Sequence, residues 1–182
     1  MANSLRTKFK KEVVTALKSE LGLKNIHQVQ VPKKVTVNVG LGKGLKDAKF
    51  AEVVEANLKR ITGQKPVSTK AIKSVSGFKI REGMVVGMVV TLRGNRMWDF
   101  INKLVNVSFP RVRDFRGIST STVDHKGNIS IGFKEHTAFP EIRSDEIETL
   151  NGLQVTITTN SDDKKHGLAL FKALGFPFND NK

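Results

Sequence analysis

A chain of 182 residues with 38% hydrophobic and 26% charged side chains has the composition of a globular protein long enough to bury a core. It has no cysteine, which excludes disulfides and thiolate metal sites, and its longest apolar-rich run, residues 84–90, is far short of the roughly 20 residues of a membrane span. The 31 Lys and Arg against 17 Asp and Glu give a net charge of +14, a field that attracts polyanions.

The charge is unevenly spread: residues 1–58 carry a net +6, residues 59–116 a net +10 and residues 117–182 a net −2. A basic first two-thirds without a strongly basic, apolar-faced anchor helix favours nucleic acid over a membrane surface. No apolar stretch of a secretory signal follows the basic start, and the helical period continuing past Glu12 fits a first helix better than a transit peptide. The absence of cysteine fits a reducing compartment, so a cytoplasmic protein is expected.

Residues 4–21 place Leu5, Phe9, Val13, Ala16, Leu17 and Leu21 at three- and four-residue steps, predicting an amphipathic helix capped by Gly22. Val35, Val37 and Val39 alternate with Lys34, Thr36 and Asn38, predicting a strand with one apolar and one polar face. Asp47 is the expected N-cap of a second helix, with Phe50, Val53, Val54, Leu58 and Ile61 inward and Gly63 at its end. A strand is expected over Pro66–Val75, a loop over residues 76–83 and a third strand over Met84–Arg93. A third helix from Asn95 to about Val107 carries Met97, Trp98, Ile101, Leu104 and Val105, with Pro110 stopping it. Residues 118–123 and 128–134 flank the turn sequence DHKGN and predict a hairpin. LQVTITT, residues 153–159, is a strand, and Ser161 and Asp162 open a last helix that Gly175 and Pro177 close.

With the hairpin set aside, the order is strand, helix, strand, strand, helix, strand. That is the ferredoxin-like split βαβ unit: an α+β fold with an antiparallel sheet, helices on one face and an open polar face on the other. One domain over residues 1–182, with an N-terminal helix and an inserted β-hairpin, is expected.

Several chemistries fail on spacing. Gly40-Leu41-Gly42-Lys43-Gly44 is not the G-x-G-x-x-G of a dinucleotide site, because Leu45 stands where the third glycine belongs. Nor is it a phosphate-binding P-loop, since no Ser or Thr follows Lys43. The four histidines, 27, 125, 136 and 166, show no ligand spacing, and Glu135-His136 is expected on the surface. Glu141, Asp145, Glu146 and Glu148 form an acidic stretch best explained as a solvated loop and helix start. No enzyme, cofactor, metal or small-molecule substrate is therefore expected.

Nucleic-acid binding has better material. The chain has no tyrosine, and its predicted strands carry no Trp or Phe except Phe133, which disfavours base stacking on the sheet. The polar strand positions Lys34, Thr36, Asn38, Thr91 and Arg93 instead suit the shallow minor groove, 2′-hydroxyls and phosphates of a folded RNA. Trp98 lies on an apolar helix face and is expected in the core. FPRVRDFRG, residues 109–117, places Arg111, Arg113 and Arg116 past a helix end. It is either a solvated basic loop or an ordered turn in which Asp114 neutralises or orients one guanidinium.

TVNVGLGKG, RITGQKP, SVSGFKIREGM, VTLRGNRMWDF, FPRVRDFRG, DHKGNISIGFKEH, FPEI and ALGFPF occur in this order along the chain. Together they resemble the large-subunit ribosomal protein L5 family, of bacterial type, over essentially all 182 residues. The resemblance implies a non-enzymatic protein of the cytoplasmic ribosome that binds 5S rRNA and helps hold it to 23S rRNA in the central protuberance. The implied 5S rRNA contacts are Asn38, Gln64, Thr91 and Arg93, with Lys33 and Lys34 as phosphate partners. Ser76, Gly77, Phe78, Lys79 and Arg81 match the loop that reaches toward P-site tRNA. The region of Arg111, Arg113 and Arg116 matches the side that meets a small-subunit head protein across an intersubunit bridge. Two departures are Lys43, where many members carry an acidic residue, and HKGNI, where many read GRGNY. The rival readings are a nucleotide-dependent enzyme using the glycine loop and a free-standing RNA chaperone or tRNA-binding module.

Overall fold

A computed structural model of the chain describes residues 5–42, 48–142 and 150–179. Lys43, the expected cap Asp47 and the acidic residues Asp145, Glu146 and Glu148 lie outside the described residues. The first helix, α1, runs through Leu5–Lys8, Phe9–Val13 and Val14–Glu20. Its inward residues fall at four-residue steps, and in an ideal α-helix each such step turns the contact stripe by about 40°. Phe9–Val13 is a wide turn, closed by the Val14 N–H donating to the Phe9 carbonyl five residues back, and it takes that drift out. Phe9, Val13 and Leu17 all stay buried as a result. Gly22, at φ +61°, ends the helix, with Leu23 N–H bonding Lys18 O at 3.0 Å and Gly22 N–H bonding Ser19 O at 3.4 Å.

Strand β1 spans Pro32–Gly40 and helix α2 spans Ala48–Thr62, ended by Gly63 at φ +67°. Strand β2 is only Val67–Lys70, five residues shorter at its far end than the expected Pro66–Val75. Its pairing with β3, Val85–Leu92, shifts register between Thr69 and Lys70, and the ladder stops there. Helix α3 runs through Gly94–Lys103, Leu104–Ser108 and Phe109–Arg111. Pro110 therefore does not stop it. Leu104–Ser108 is a second wide turn, and Pro110 enters the short turn after it, in an N-terminal position where a missing N–H is harmless.

The expected hairpin forms only at its tip. Val123 and Ile129 pair across the DHKGN turn, but β4, Ile118–Ser119, pairs in parallel with the C-terminal β7, Phe178–Asn179. Strand β5, Ile129–Phe133, joins the main sheet as an edge. Strand β6 is Leu153–Thr159, and helix α4 is Lys164–Ala173, capped by Asp163 and not by Ser161 or Asp162. The Asp163 carboxylate accepts from the Lys165 N–H at 3.1 Å, while the Ser161 hydroxyl is spent on Asp163's own backbone.

The five-stranded sheet has the order β2-β3-β1-β6-β5. Without β5 this is the order that two interleaved βαβ units produce, each crossover skipping one strand, so the α+β, split-βαβ expectation holds. The contacts divide the chain into two compact units: residues 1–35, 92–131 and 156–182, and residues 36–91 and 132–155. In the first, α1 packs beside α3 with Phe9 and Trp98 ring centroids 5.0 Å apart, and Arg6 donates to the Asn95 side-chain oxygen. Trp98 is in the core as expected. Phe109, Phe171 and Phe176 form a second aromatic cluster. In the second unit Phe133 packs on Phe139 at 5.4 Å, and Val37, Val39, Leu58 and Val90 are buried. No described helix is long and apolar enough to cross a membrane.

One contact in the first unit has no slack. A Cβ on Gly167 of α4 would lie 2.3 Å from the Gly127 Cα, so the DHKGN turn rests directly on helix backbone. Gly167→Ala should lower stability by about 1–3 kcal/mol or more, read as a fall in the denaturant midpoint; an unchanged midpoint would refute that packing.

Candidate nucleic-acid interface

Period-two alternation decides which groups the sheet offers to a partner. Along β1, Val35, Val37 and Val39 are buried, while Lys34 and Thr36 are half-buried and Asn38 is exposed. Lys33 is exposed but has the parity of the valines, so of the two lysines only Lys34 shares the side of Asn38. Along β3, Met88, Val90 and Leu92 are buried and Val89 and Thr91 are half-buried. Arg93 follows with extended backbone, φ −138° and ψ 165°, so the alternation carries it to the side of Thr91, exposed.

Gln64 is positioned by the end of α2. Strand β2 begins at Val67, which pairs with Val89, so the β2–β3 ladder does not reach Thr91. The Gln64 side-chain amide donates to Thr91 O at 3.3 Å instead. The Thr62 hydroxyl steadies the turn by donating to Leu58 O at 2.7 Å and accepting from the Gln64 N–H at 3.3 Å. With Nε2 engaged, Gln64 presents its amide oxygen as an acceptor. Neighbouring Lys65 sits 3.9 Å from Glu55, an exposed pair of negligible weight.

The open side of these strands carries the Thr36 and Thr91 hydroxyls, the Asn38 amide, the cations Lys34 and Arg93 and the apolar Val85 and Val89, and no aromatic ring. Phe133 is buried. Sequence reasoning omitted the same side of β5 and β6, where the first unit places the Ser130 and Thr156 hydroxyls 3.1 Å apart. The alternation within LQVTITT would have found it.

The loop after β2 is closed at its base by Ala71 N–H to Met84 O at 2.8 Å and Gly83 N–H to Ala71 O at 2.9 Å. Val75 and Ile80 bridge higher up, and the Glu82 N–H donates to the Ser74 hydroxyl at 2.9 Å. The tip turns through Ser76–Phe78 into Lys79 at φ +55°. Ser76, Gly77, Phe78, Lys79 and Arg81 are all exposed, as are the apolar Phe78 at 75% and Ile72 at 85%.

Arg111, the last residue of α3, and Arg113 and Arg116 beyond it are exposed. The segment is an ordered turn, with Asp114 at φ +53°, but among the described residues no ion pair joins Asp114 to these arginines. Its order comes from Phe115, stacked on Phe109 at 5.3 Å, and from Gly117 packed against Asn179. His136 is another correction. It is buried, not on the surface, with its Nδ1 3.1 Å from Asn151 O and 3.3 Å from Asn151 N. Among the described residues no group of three His, Cys, Asp or Glu could hold a metal.

The protein is thus of the α+β class, with an open sheet side that presents Lys34, Thr36, Asn38, Thr91 and the flanking Arg93. Comparison with known proteins gives its family. Residues 25–81 match the family model described as Ribosomal protein L5, and residues 85–178 that of the ribosomal L5P family C-terminus. The large ribosomal subunit protein uL5 of Synechocystis is 49% identical over 178 residues, covering 98% of this chain and 99% of its own. That of Microcystis aeruginosa is 47% identical over the same span, and that of Francisella tularensis subsp. novicida 47% identical over 174 residues, 96% of this chain and 97% of its own. The chain belongs to the ribosomal protein L5 family, whose members are structural proteins and not enzymes.

The DHKGN turn carries a perturbed carboxylate. Burial pushes Asp124 upward, but the Asn128 side-chain amide at 2.8 Å and the backbone N–H groups of Asn128 at 2.7 Å and Lys126 at 2.9 Å outweigh it. The net effect holds the carboxyl below its ordinary 3.8. A depressed folded-state value contributes stability that is present above the unfolded value and lost as pH falls through the folded one. The stability advantage of wild type over Asp124→Asn should therefore be constant near neutrality and shrink below pH 3.8. A gap independent of pH in denaturation curves would show that the carboxylate charge contributes nothing.

Proposed function

We infer that the protein is a structural constituent of the large ribosomal subunit, on the cytoplasmic ribosome, and that it docks 5S rRNA on the open side of β1 and β3. The observation that carries this is chemical. Asn38, Thr91 and Arg93 share one polar, ring-free side, with the Gln64 amide hydrogen-bonded to the Thr91 backbone. Amides and hydroxyls match ribose hydroxyls and base edges of a shallow minor groove, and Lys34 and Arg93 match phosphates. Lys33 serves the same RNA from the strand margin. A ring-bearing, single-strand-binding face would need aromatic platforms that this one lacks.

The remaining contacts follow from the resemblance and fit the exposed features. Docked 5S rRNA is held beside 23S rRNA in the central protuberance. The loop carrying Ser76, Gly77, Phe78, Lys79 and Arg81 reaches toward P-site tRNA. The turn carrying Arg111, Arg113 and Arg116 meets a small-subunit head protein. No cofactor is called for by any of these roles.

Arg93→Ala should weaken 5S rRNA binding by about 1–3 kcal/mol, as loss of a charge-assisted hydrogen bond, and Asn38→Ala by a comparable amount. Trp98→Ala should instead lower stability by roughly 3–5 kcal/mol while the folded fraction keeps its affinity. Binding should also fall steeply with salt, by roughly 0.7–0.9 log units per neutralised phosphate for each log unit of salt. Filter-binding titrations across salt concentrations check both; a slope near zero, or wild-type affinity in both Asn38→Ala and Arg93→Ala, would overturn the docking face.

A further inference from the structure

The fold accounts for most of the chain's glycines. Gly22, Gly63 and Gly175 end helices at positive φ. A Cβ on Gly87 would meet Thr69 Oγ1 at 2.9 Å and Val39 O at 3.0 Å, and one on Gly152 would meet Phe133 O at 3.0 Å. Gly40, Gly42, Gly77 and Gly132 have neither reason, and of these only Gly40 and Gly132 lie in strands. Their φ values are ordinary, both are exposed, and among the described residues an added Cβ would meet nothing within 4 Å.

Both belong to the second unit and both lie in strands, where glycine is locally unfavourable: it packs nothing and loses the most freedom on folding. Gly40 closes β1 with the parity of Thr36 and Asn38. Gly132 lies between buried Ile131 and Phe133 of β5, with the parity of Ser130. Each is therefore on the open side of its strand. The sheet keeps two positions bare where, among the described residues, a Cβ would meet nothing within 4 Å.

We propose that Gly40 and Gly132 are RNA-contact positions, at which bare backbone lets the ribose edge of double-helical RNA approach the sheet to van der Waals distance. The proposal rests on the docking of 5S rRNA described above and adds the mode of approach. A-form RNA offers a wide, shallow minor groove of ribose hydroxyls, which a flat surface meets closely and a projecting side chain holds off. Asn38, two residues before Gly40 on the same side, then reaches ribose or base-edge atoms without spanning a gap.

The test pairs stability with affinity in the full-length chain, using transcribed bacterial 5S rRNA as probe. Gly40→Ala, Gly40→Val, Gly132→Ala and Gly132→Val should melt at the wild-type temperature or up to a few degrees above it, because the unfolded chain loses freedom. Affinity should fall with side-chain size, by about tenfold or more for the valine variants. Valine variants that melt normally and bind as wild type would overturn the inference while leaving the docking reading intact. So would affinity losses that only follow losses in melting temperature. Failure of the wild-type chain to bind 5S rRNA would sink the docking reading, and this inference with it.

Discussion

The constraint on which the rest of the structure depends is that the sheet buries one set of alternate residues and leaves the other set open. Strand β1 sits third of five, and its valines 35, 37 and 39 are each no more than 1% exposed. A one-residue slip in its pairing would put Lys34, Thr36 and Asn38 into the core and three valines into water. Burying three such side chains is worth roughly 1.5–3 kcal/mol each, so the register is settled by hydrophobic burial alone. The functional side chains need contribute nothing to it. They are held in place by the residues between them.

Secondary details serve the same end. The close crossing at Gly87 brings Thr69 and the β1 backbone together where a side chain would wedge them apart. Gln64, just before β2 begins, bonds the Thr91 carbonyl past the end of the β2–β3 ladder, so that carbonyl is satisfied and the amide is oriented at the same time. In the helices, the two wide turns keep apolar stripes aimed at the core over runs that a regular helix would carry off it. Such turns recur at functional sites in general; in this chain their visible effect is on packing.

Strand alternation and glycine-ended helices were legible because each is written within a dozen consecutive residues: VTVNV, LQVTITT and the glycines at 22, 63 and 175 announce themselves. What was not legible depends on partners far along the chain. Ile118 and Ser119 looked like half a hairpin, but Phe178 and Asn179 compete for them successfully. Pro110 looked like a stop, yet the wide turn before it gives it a first-turn position. His136 looked like a surface neighbour of Glu135, although Asn151, fifteen residues on, supplies the bonds that let it be buried. Of the site residues, the exposure of Asn38 and Arg93 followed from the period, and the same period puts Lys33 on the parity of the valines, apart from Lys34. The hydrogen bond from the Gln64 amide to the Thr91 carbonyl could not be read at all, because it depends on where β2 begins.

The distribution of charge completes the physical picture. The net +10 of residues 59–116 resides mostly outside the strands, on helix surfaces, the loop after β2 and the turn after α3. The open sides of β1 and β3 themselves carry only Lys34 and the flanking Arg93 as cations. That is a division of labour. Dispersed cations set up a field that reaches about one Debye length, roughly 8–10 Å in physiological salt, and draw in any polyanion without reading it. Neutral amides and hydroxyls act only at contact, where a mismatched surface leaves them desolvated and without partners. A face paved with lysine would bind RNA of almost any shape. A nearly neutral face, with the cations dispersed elsewhere on the chain, would attract broadly and accept narrowly, which is what the proposed docking of RNA on the open sides of β1 and β3 calls for.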